Sequence, residues 1–309
     1  MKATAPAPDC LAALAPAGAD RRCAGLIGRA IQESLTPGMH EAEGRRLGLA
    51  YDYRLLDFDR LGLDDAALGA VLQLAGERGF AGLNVTHPFK QAVLPLLDAL
   101  WPDAEAIGAV NAVVFQAGRA IGHNTDCWGF AESFRRGMAG AGLDRVVLVG
   151  AGGAGLAVAR ALVDLGAREV MVFDREAPRA QRLAQRLQGG GTTFIARPLD
   201  RLAAALAGAE GLINATPAGM RKYPGLPVPA EALHGALWVA DIVYFPLRTA
   251  LVEAAAARGC RTLTGRGMAV FQAVRAFALF TGRAPDAETM VLHFDRLQSA
   301  SGRPEAASA

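Results

Sequence analysis

The sequence predicts an α/β protein of two domains, an N-terminal α/β domain and a C-terminal doubly wound parallel sheet. Three observations predict this class. Short apolar runs alternate along the chain with segments whose apolar residues recur at helical spacing. One such run, residues 146–149, passes through a glycine-rich turn directly into a helical pattern. The 309 residues suit two domains of ordinary size, and a hydrophobic fraction of 52% supplies apolar side chains for two cores.

The first domain is predicted over residues 23–125. Strands are expected at three short apolar runs, residues 23–28, 51–57 and 81–86. An amphipathic helix is expected over 63–79, with Asp64 near its start and Gly79 past its end. Residues 29–48 are interpreted as a turn-rich connection, and residues 86–100 as a helix kinked at Pro95. Two further strands, over 107–115 and 119–126, form a hairpin around a Gln-Ala-Gly turn.

The second domain is predicted over residues 126–269. A helix from residue 126 leads into alternating strands and helices, with strands expected at 146–150, 169–174, 192–196, 211–216, 236–244 and 260–263. Helices are expected at 155–165, 177–188, 199–208 and 248–259. Two C-terminal helices over about 270–300 are expected to pack back on the first domain. The Ala- and Pro-rich residues 1–22 are expected to be a disordered extension.

The junction at residues 146–166 gives the clearest functional signal. Its turn consists of Gly150, Ala151, Gly152, Gly153, Ala154 and Gly155. In this motif the first glycine permits the tight turn, the second lets the backbone approach a pyrophosphate, and the last lets the helix pack close to the strand. Asp174 lies 19 positions past Gly155, at the end of the next strand, where a carboxylate can accept a ribose hydroxyl. The pattern predicts a Rossmann-type dinucleotide-binding domain rather than a glycine-rich turn without a ligand.

Composition narrows the class of partner. A net charge of +2 and the lack of a basic run interleaved with aromatics argue against nucleic-acid binding. The four cysteines show no metal-ligand spacing, so no metal site is expected. No run reaches the ~18 apolar residues of a membrane span. We expect a cytoplasmic protein, a monomer or homodimer, whose partners are small molecules and neither nucleic acid nor membrane.

Four polar stretches follow predicted strand ends or turns, at residues 33–40, 84–90, 122–126 and 214–220. Ligands of open α/β sheets bind at the carboxyl ends of parallel strands. With a nicotinamide, the chemistry suggested is alcohol oxidation, which needs one ionisable side chain beside the reacting oxygen. Lys90 is the candidate, with Asp126 as its partner. The alternatives are a solvated lysine in a first helical turn and a helix N-cap at Asp126. His87 and His123 are more simply hydrogen-bonding or exposed histidines.

Several stretches together resemble one family. NVTHPFK, GAVNAVV, GHNTD, VGAGGAG, INATPAGM, DIVYFPLRTALV and GMAVFQAVRAF occur in the order and spacing of the shikimate dehydrogenase superfamily, from residue 26 to residue 282. SLTPGMHEAEG with NVTHPFKQAVLPLLD is most similar to the NAD-dependent quinate/shikimate dehydrogenase branch. The biosynthetic enzymes usually carry a serine where this chain has Thr36, and their NADP-dependent members typically carry Asn-Arg-Thr near Asp174.

The resemblance implies a role for each matching residue. Lys90 and Asp126 would be the catalytic pair at the hydroxyl being oxidised, which is the C3 hydroxyl of quinate or shikimate. Substrate would be bound by Ser34, Thr36, Thr86, Asn111, Tyr244 and Gln272. The nicotinamide end would be lined by Asn214, Thr216, Gly219, Met220 and Gly267. Asp174 would repel the 2′-phosphate of NADP and favour NAD, although Arg175 beside it could receive that phosphate.

Three alternatives remain beside NAD-dependent quinate/shikimate oxidation. One is an NADP-dependent biosynthetic shikimate dehydrogenase, or a relative acting on an amino-substituted shikimate. Another is a ligand-binding or NAD-binding sensor without turnover on the same scaffold, which the presence of both Lys90 and Asp126 disfavours. The third is an S-adenosylmethionine-dependent methyltransferase, which the stretches NVTHPFK and NATPAGM disfavour.

Overall fold

Two six-stranded sheets organise the described residues in a computed structural model of the chain. The structure describes residues 13–16, 18, 21–188 and 191–300. Of the described residues, the first unit comprises those up to Thr125 together with Ala273–Ala300, and the second comprises those from Asp126 to Gln272. The α/β class, with a parallel Rossmann-type sheet in the second unit, is confirmed.

The strands of the first sheet are β1 (Arg22–Gly28), β2 (Tyr51–Asp57), β3 (Phe80–Val85), β4 (Ala99–Leu100), β5 (Ala112–Gln116) and β6 (Arg119–His123). Those of the second are β7 (Arg145–Val149), β8 (Glu169–Phe173), β9 (Thr193–Ala196), β10 (Gly211–Asn214), β11 (Trp238–Asp241) and β12 (Arg261–Leu263).

The helices are α1 (Thr36–Arg46), α2 (Leu68–Glu77), α3 (Phe89–Ala92), α4 (Pro102–Ile107), α5 (Thr125–Gly137), α6 (Gly153–Asp164), α7 (Ala177–Arg186), α8 (Leu202–Leu206), α9 (Ala250–Ala256), α10 (Arg266–Thr281) and α11 (Ala287–Ala300). Short 3₁₀ turns occupy Asp65–Ala67, Leu94–Leu96, Leu199–Arg201 and Ala230–Ala232.

The first sheet is mixed, with the strand order β2-β1-β3-β5-β6-β4. β1 pairs in parallel with β2 and β3, whereas β5 is antiparallel to both β3 and β6. The predicted hairpin is present, and its turn places Ala117 and Gly118 at positive φ, as a type I′ hairpin turn requires. Asp64 caps the turn before α2 by accepting from the Ala67 N–H, and Gly79 after α2 also has a positive φ.

Residues 29–48 differ from the prediction, because they contain the eleven-residue helix α1 instead of a turn-rich connection. Pro37 lies in the first turn, where its missing N–H costs nothing. The glycines serve close packing: a Cβ atom on Gly38 would lie 2.7 Å from Leu297 of α11, and one on Gly44 would lie 2.7 Å from Cβ of Tyr51. α11 therefore packs on α1, within the first unit.

Residues 86–100 also differ, because the expected long helix is divided. α3 is one turn, and Pro95 lies in the 3₁₀ turn that follows, before the short strand β4. A proline at that position removes a backbone donor and ends the regular helix instead of bending it.

The prediction that residues 1–22 form a disordered extension is wrong for the part of this segment that the structure describes. Leu14 is fully buried in the core with Phe58, and Arg22 already belongs to β1. The guanidinium of Arg54 donates to the carbonyls of Ala13 and Ala15, which holds this segment in place. Residues 1–12, 17, 19 and 20 lie outside the described residues.

α1 buries His40 against aromatic rings of β2 and α10. Nδ1 of His40 lies 3.0 Å from the Tyr51 hydroxyl, and its ring centroid lies 4.7 Å from that of Tyr53 and 5.6 Å from that of Phe277. Nε2 is buried without a hydrogen-bond partner among the described residues. Burial lowers the pKa of His40 to about 3, so the ring is neutral in the fold.

The second sheet is parallel throughout, with the strand order β12-β11-β10-β7-β8-β9. This is the order of a doubly wound dinucleotide-binding sheet, whose direction of winding reverses between β7 and β10. Val147, Leu212 and Val239 are fully buried in its core.

No helix within the described ranges is long and apolar enough to cross a membrane.

Candidate active site

The polar stretches of the first unit meet at one edge of its sheet. β1 and β3 are parallel neighbours, so their carboxyl ends, which precede residues 33–40 and 86–90, lie side by side. β5 runs antiparallel to β3, so Asn111, just before β5, lies beside the end of β3 and accepts from the Val85 N–H at 2.8 Å. The end of β6 joins the same edge, because the Asn111 N–H donates to the His123 carbonyl at 3.1 Å.

Ser34 and Thr36 lie where α1 begins. The Ser34 hydroxyl accepts from the Thr36 N–H at 3.3 Å. The turn before them is fixed by Asp57, a buried carboxylate at the end of β2. It accepts from the N–H groups of Ala30 and Ile31, at 3.2 and 3.1 Å. Sequence reasoning missed Asp57, because Ala30 and Ile31 lie more than 20 positions from it in the chain.

Thr86 and Lys90 flank the turn that follows β3. The Thr86 N–H donates to the Ile27 carbonyl at 3.0 Å, and the Thr86 carbonyl accepts from the Phe89 N–H at 2.8 Å. The Lys90 carbonyl accepts from the Val110 N–H at 2.8 Å, and its side chain is half-buried in α3. Lys90 is therefore held by its backbone at the same sheet edge as Asn111.

Asn111 is buried and bonded to Thr125. Its Nδ2 donates to the Thr125 hydroxyl at 2.9 Å, and its Oδ1 accepts from the Thr125 N–H at 2.6 Å. Behind it lies Asn84, whose Nδ2 donates to the Asn111 carbonyl and whose Oδ1 accepts from the Tyr53 hydroxyl at 2.8 Å. Asn84 and Tyr53 are further residues that sequence reasoning did not assign.

Asp126 is the second residue of α5 and is buried. It lies inside the first helical turn, so the N-cap alternative does not describe it. Of the two histidines, His87 is exposed, whereas the ring of His123 stacks on that of Trp101 at 5.2 Å between centroids. Burial lowers the pKa of His123.

The glycine-rich turn of the second unit lies at the carboxyl end of β7. Gly150 has φ +104°, and a Cβ atom there would lie 2.7 Å from the carbonyl of Ala215. A Cβ atom on Gly155 would collide with the carbonyl oxygen of Gly150. At Gly152, by contrast, no described heavy atom outside its chain neighbours would lie within 4 Å of that atom. Gly152 therefore precedes α6 with open space in front of the helix N-terminus, where an anion can bind.

Asp174 follows β8 directly and is tied to the glycine-rich turn. Its Oδ2 accepts from the Ala151 N–H at 2.7 Å, and its Oδ1 accepts from the Glu176 N–H at 2.8 Å. Each carboxylate oxygen keeps acceptor capacity for a further donor. Arg175, the next residue, is exposed.

The stretch at 214–220 begins at the end of β10, beside β7. Asn214 is fully buried, with its Nδ2 donating to the Ala218 carbonyl at 3.0 Å and its Oδ1 accepting from the Thr216 hydroxyl at 2.7 Å. The side-chain amide of Asn214 therefore fixes the loop of residues 214–218 through these hydrogen bonds. Gly219 has φ +99°, and Met220 is exposed.

The remaining expected residues lie in the last part of the second unit. Tyr244 is 36% exposed beyond β11, with its ring edge-on to that of Phe245. Gln272 donates through Nε2 to the Ala269 carbonyl at 2.9 Å. Gly267, in the first turn of α10, is explained by packing, since a Cβ atom there would collide with the hydroxyl of Ser133 on α5.

Comparison with known proteins gives one consistent family. Residues 26–113 match the family described as the shikimate dehydrogenase substrate binding domain, residues 136–221 match shikimate/quinate 5-dehydrogenase, and residues 265–291 match the shikimate 5′-dehydrogenase C-terminal domain. The chain belongs to the shikimate/quinate dehydrogenase family.

Some relatives in this family are named for NADP and others for NAD. A shikimate dehydrogenase (NADP(+)) from Streptomyces avermitilis is 55% identical over 275 residues, covering 88% of this chain and 94% of the relative. A quinate/shikimate dehydrogenase (NAD(+)) from Corynebacterium efficiens is 47% identical over 273 residues, covering 86% and 95%. The solved quinate dehydrogenase from Corynebacterium glutamicum in complex with NAD is 46% identical, with a TM-score of 0.83, and the match covers 89% of this chain and 99% of that one.

The family establishes the protein as an NAD(P)-dependent oxidoreductase with a small-molecule substrate. It confirms the predicted shikimate dehydrogenase resemblance at the level of the whole family. Because relatives named for NADP and for NAD both match, the preference of this chain for one dinucleotide depends on its own residues near the ribose.

Proposed function

We propose that the protein oxidises the C3 hydroxyl of quinate and/or shikimate with NAD, giving 3-dehydroquinate or 3-dehydroshikimate. The observation that carries the choice of NAD is the position of Asp174 at the end of β8, hydrogen-bonded to the glycine-rich turn through Ala151. A carboxylate there accepts a hydrogen bond from the free 2′-hydroxyl of the NAD ribose and repels the 2′-phosphate of NADP.

The proposed substrate contacts fit a small polyhydroxylated acid. Ser34 and Thr36, at the first turn of α1, bind the carboxylate, and Thr86, Asn111, Tyr244 and Gln272 bind ring hydroxyls or the carboxylate. Asn111 retains one N–H for this purpose, because its Nδ2 has two hydrogens and Thr125 takes one. A site built from such groups rejects analogues whose missing hydroxyls leave its donors unpaired.

The proposed reaction separates a hydride from a proton. The bound dinucleotide supplies the hydride acceptor. Lys90 accepts the proton from the reacting hydroxyl, the carbon gives up its hydride to the dinucleotide, and the C–O bond becomes a carbonyl. Asp126 is assigned to the same hydroxyl as the second member of the catalytic pair. A proton acceptor held in place in this way contributes about 10²–10⁴ to the rate.

A second candidate is NADP-dependent shikimate oxidation and reduction. Arg175 supports it, because an exposed guanidinium next to Asp174 can bind a phosphate with two parallel hydrogen bonds. The cofactor named for the Streptomyces avermitilis relative supports it as well.

The deciding experiment combines the purified protein with quinate or shikimate and with NAD or NADP, and follows the absorbance of the reduced nicotinamide. We expect turnover with at least one acid and a higher kcat/KM with NAD. A higher kcat/KM with NADP would favour the second candidate. No turnover of either acid with either dinucleotide, in protein whose circular dichroism is that of a folded α/β protein, would overturn the proposal.

A further inference from the structure

Asp241 is a buried carboxylate to which no sequence motif assigned a role. It is the last residue of β11, 1% exposed, and lies in register beside Asn214 at the end of β10. Burial raises its pKa to about 6, against the hydrogen bonds that lower it. Because a buried carboxylate costs folding free energy, its place at the carboxyl edge of the dinucleotide-binding sheet calls for an explanation.

The donors to Asp241 come from different segments of that edge. Oδ2 accepts from the Thr249 hydroxyl at 2.6 Å. Oδ1 accepts from Nδ2 of Asn214 at 2.9 Å and from the Val243 N–H at 3.0 Å. The carboxylate thus joins the loop after β10, the loop after β11 and the start of α9, which Thr249 caps by accepting from the Val252 N–H.

Through Asn214, the connection continues into the loop at 214–218. Oδ1 of Asn214 accepts from the N–H and the hydroxyl of Thr216, at 3.0 and 2.7 Å. The Thr216 hydroxyl in turn accepts from the Ala218 N–H at 3.2 Å. Asp241 therefore fixes the orientation of the amide around which this loop folds.

The same loop backs onto the glycine-rich turn. The Ala215 N–H donates to the Val149 carbonyl at 2.7 Å. A Cβ atom on Gly150 would lie 2.7 Å from the Ala215 carbonyl and 2.9 Å from Cγ2 of Thr216. A shift of this loop would therefore change the space around the turn that receives the dinucleotide.

We propose that Asp241 is a positioning residue for the dinucleotide site, holding the 214–219 loop against the glycine-rich turn through Asn214 and Thr249. This inference rests on the proposed function only in that the protein binds a dinucleotide. The hydrogen bonds are what matter, so an uncharged side chain of the same shape can replace the carboxylate.

The test compares Asp241→Ala with Asp241→Asn in the full chain. The Kd for the preferred dinucleotide is measured by calorimetry without the acid, and the KM for each substrate by steady-state kinetics. We expect D241A to raise the Kd and the dinucleotide KM by about tenfold or more, as loss of a buried charge-assisted hydrogen bond does, with the KM for the acid within about twofold. D241N should recover the Kd to within about threefold, because the asparagine oxygen can accept from Asn214 and Val243 while its NH2 group donates to the Thr249 hydroxyl.

The matched control is Thr192→Val, which removes a buried hydrogen bond from Thr192 to the Ala167 carbonyl, 2.6 Å long, in the same unit. It should lower the Tm without raising the Kd. If D241A does not fold, Thr249→Ala removes the hydroxyl donor to Oδ2 and should raise the Kd about fivefold. A native Kd in D241A or in T249A, a rise in T192V equal to that in D241A, or no recovery in D241N would overturn the inference.

The calorimetry also separates this inference from the proposed function. Wild-type protein that binds a dinucleotide but oxidises neither acid would overturn the proposed function alone, and the Asp241 comparison would stand. Wild-type protein that binds neither NAD nor NADP would overturn both.

Discussion

A single charge at Asp174 is expected to separate the two dinucleotides. In Asp174→Asn the remaining side-chain oxygen can still accept the Ala151 N–H, while the charge that repels a 2′-phosphate is gone. We expect the ratio of kcat/KM for NADP to that for NAD to rise about tenfold or more, which corresponds to 1.4 kcal/mol of transition-state binding. The measurement is steady-state kinetics with both dinucleotides. Asp200→Asn, an exposed carboxylate of the same unit, is the control, and an unchanged ratio in D174N would remove Asp174 from the choice.

Lys90 is expected to act on the rate and not on dinucleotide binding. Lys90→Met keeps most of the aliphatic side chain and removes the proton acceptor. We expect kcat to fall by about 10²–10⁴, the usual contribution of a positioned acid or base. The Kd for the dinucleotide, measured by calorimetry, should stay within about threefold, and the circular dichroism spectrum of the variant should match that of the wild type. A kcat near that of the wild type would exclude Lys90 as the proton acceptor.

Local motifs predicted some residues of the candidate site and gave no signal for others. The need for glycine at positions 150 and 155 follows from the motif and agrees with the collisions that a Cβ atom would make there. Asp57, Asn84 and Asp241 could not be foreseen, because each acts on residues that the fold brings together from distant parts of the chain. Hydrogen-bond pairing over such distances leaves no periodic signal in one sequence.

At the scale of elements, patterns that satisfy backbone geometry were predictable. The hairpin of β5 and β6 and the parallel strands of the second sheet lie where alternation, apolar runs and turn residues indicated. α1 was missed because its glycines favour turns in isolation but here allow contact with Leu297 and Tyr51. The length of α3 was overestimated, because apolar residues continue at helical spacing past Ala92 whereas the helical backbone ends there.

The close approach of α10 to α5 at Gly267 provides a test at this scale. In Gly267→Ala the new methyl group would collide with Ser133, and we expect a loss of about 1–3 kcal/mol in the free energy of unfolding, the usual cost of overpacking. Urea denaturation measures it. In the double variant with Ser133→Gly, which removes the atoms involved, most of the loss should be recovered. Native stability of the single variant would mean that packing does not explain this glycine.

At the scale of the whole molecule, each sheet has its own buried core, with Leu83 and Phe89 in the first and Leu212 and Val239 in the second. The length, the hydrophobic fraction and the position of the glycine-rich turn were sufficient to predict two such units. The burial of Leu14 was not predictable, because a segment rich in alanine and proline carries no strand or helix pattern.

Acid stability is expected to depend on His40. Its folded pKa of about 3 lies below the ordinary value of 6.5, so between these values the unfolded chain binds a proton that the folded chain does not. The free energy of unfolding keeps its full value above pH 6.5 and falls as the pH drops towards 3, by at most about 5 kcal/mol. His40→Gln does not titrate, so its free energy of unfolding should fall less than that of the wild type from pH 7 to pH 4.

Chemical denaturation at several pH values measures this difference. His87→Gln, at an exposed histidine of the same unit, is the control and should follow the wild type. Parallel pH dependences of H40Q and the wild type would mean that His40 is protonated in the folded chain as readily as in the unfolded one.

The division of the chain into two sheets has an evolutionary consequence. Ser34 and Thr86, proposed to recognise the acid, belong to the first unit, whereas Asp174, proposed to choose the dinucleotide, belongs to the second. Substitution at Asp174 therefore need not disturb Ser34 or Thr86. Selection can then change the dinucleotide that the enzyme uses without changing the loops that carry Ser34 and Thr86. Relatives named for NADP and for NAD, at 55% and 47% identity to this chain, agree with a cofactor preference that changes within the family.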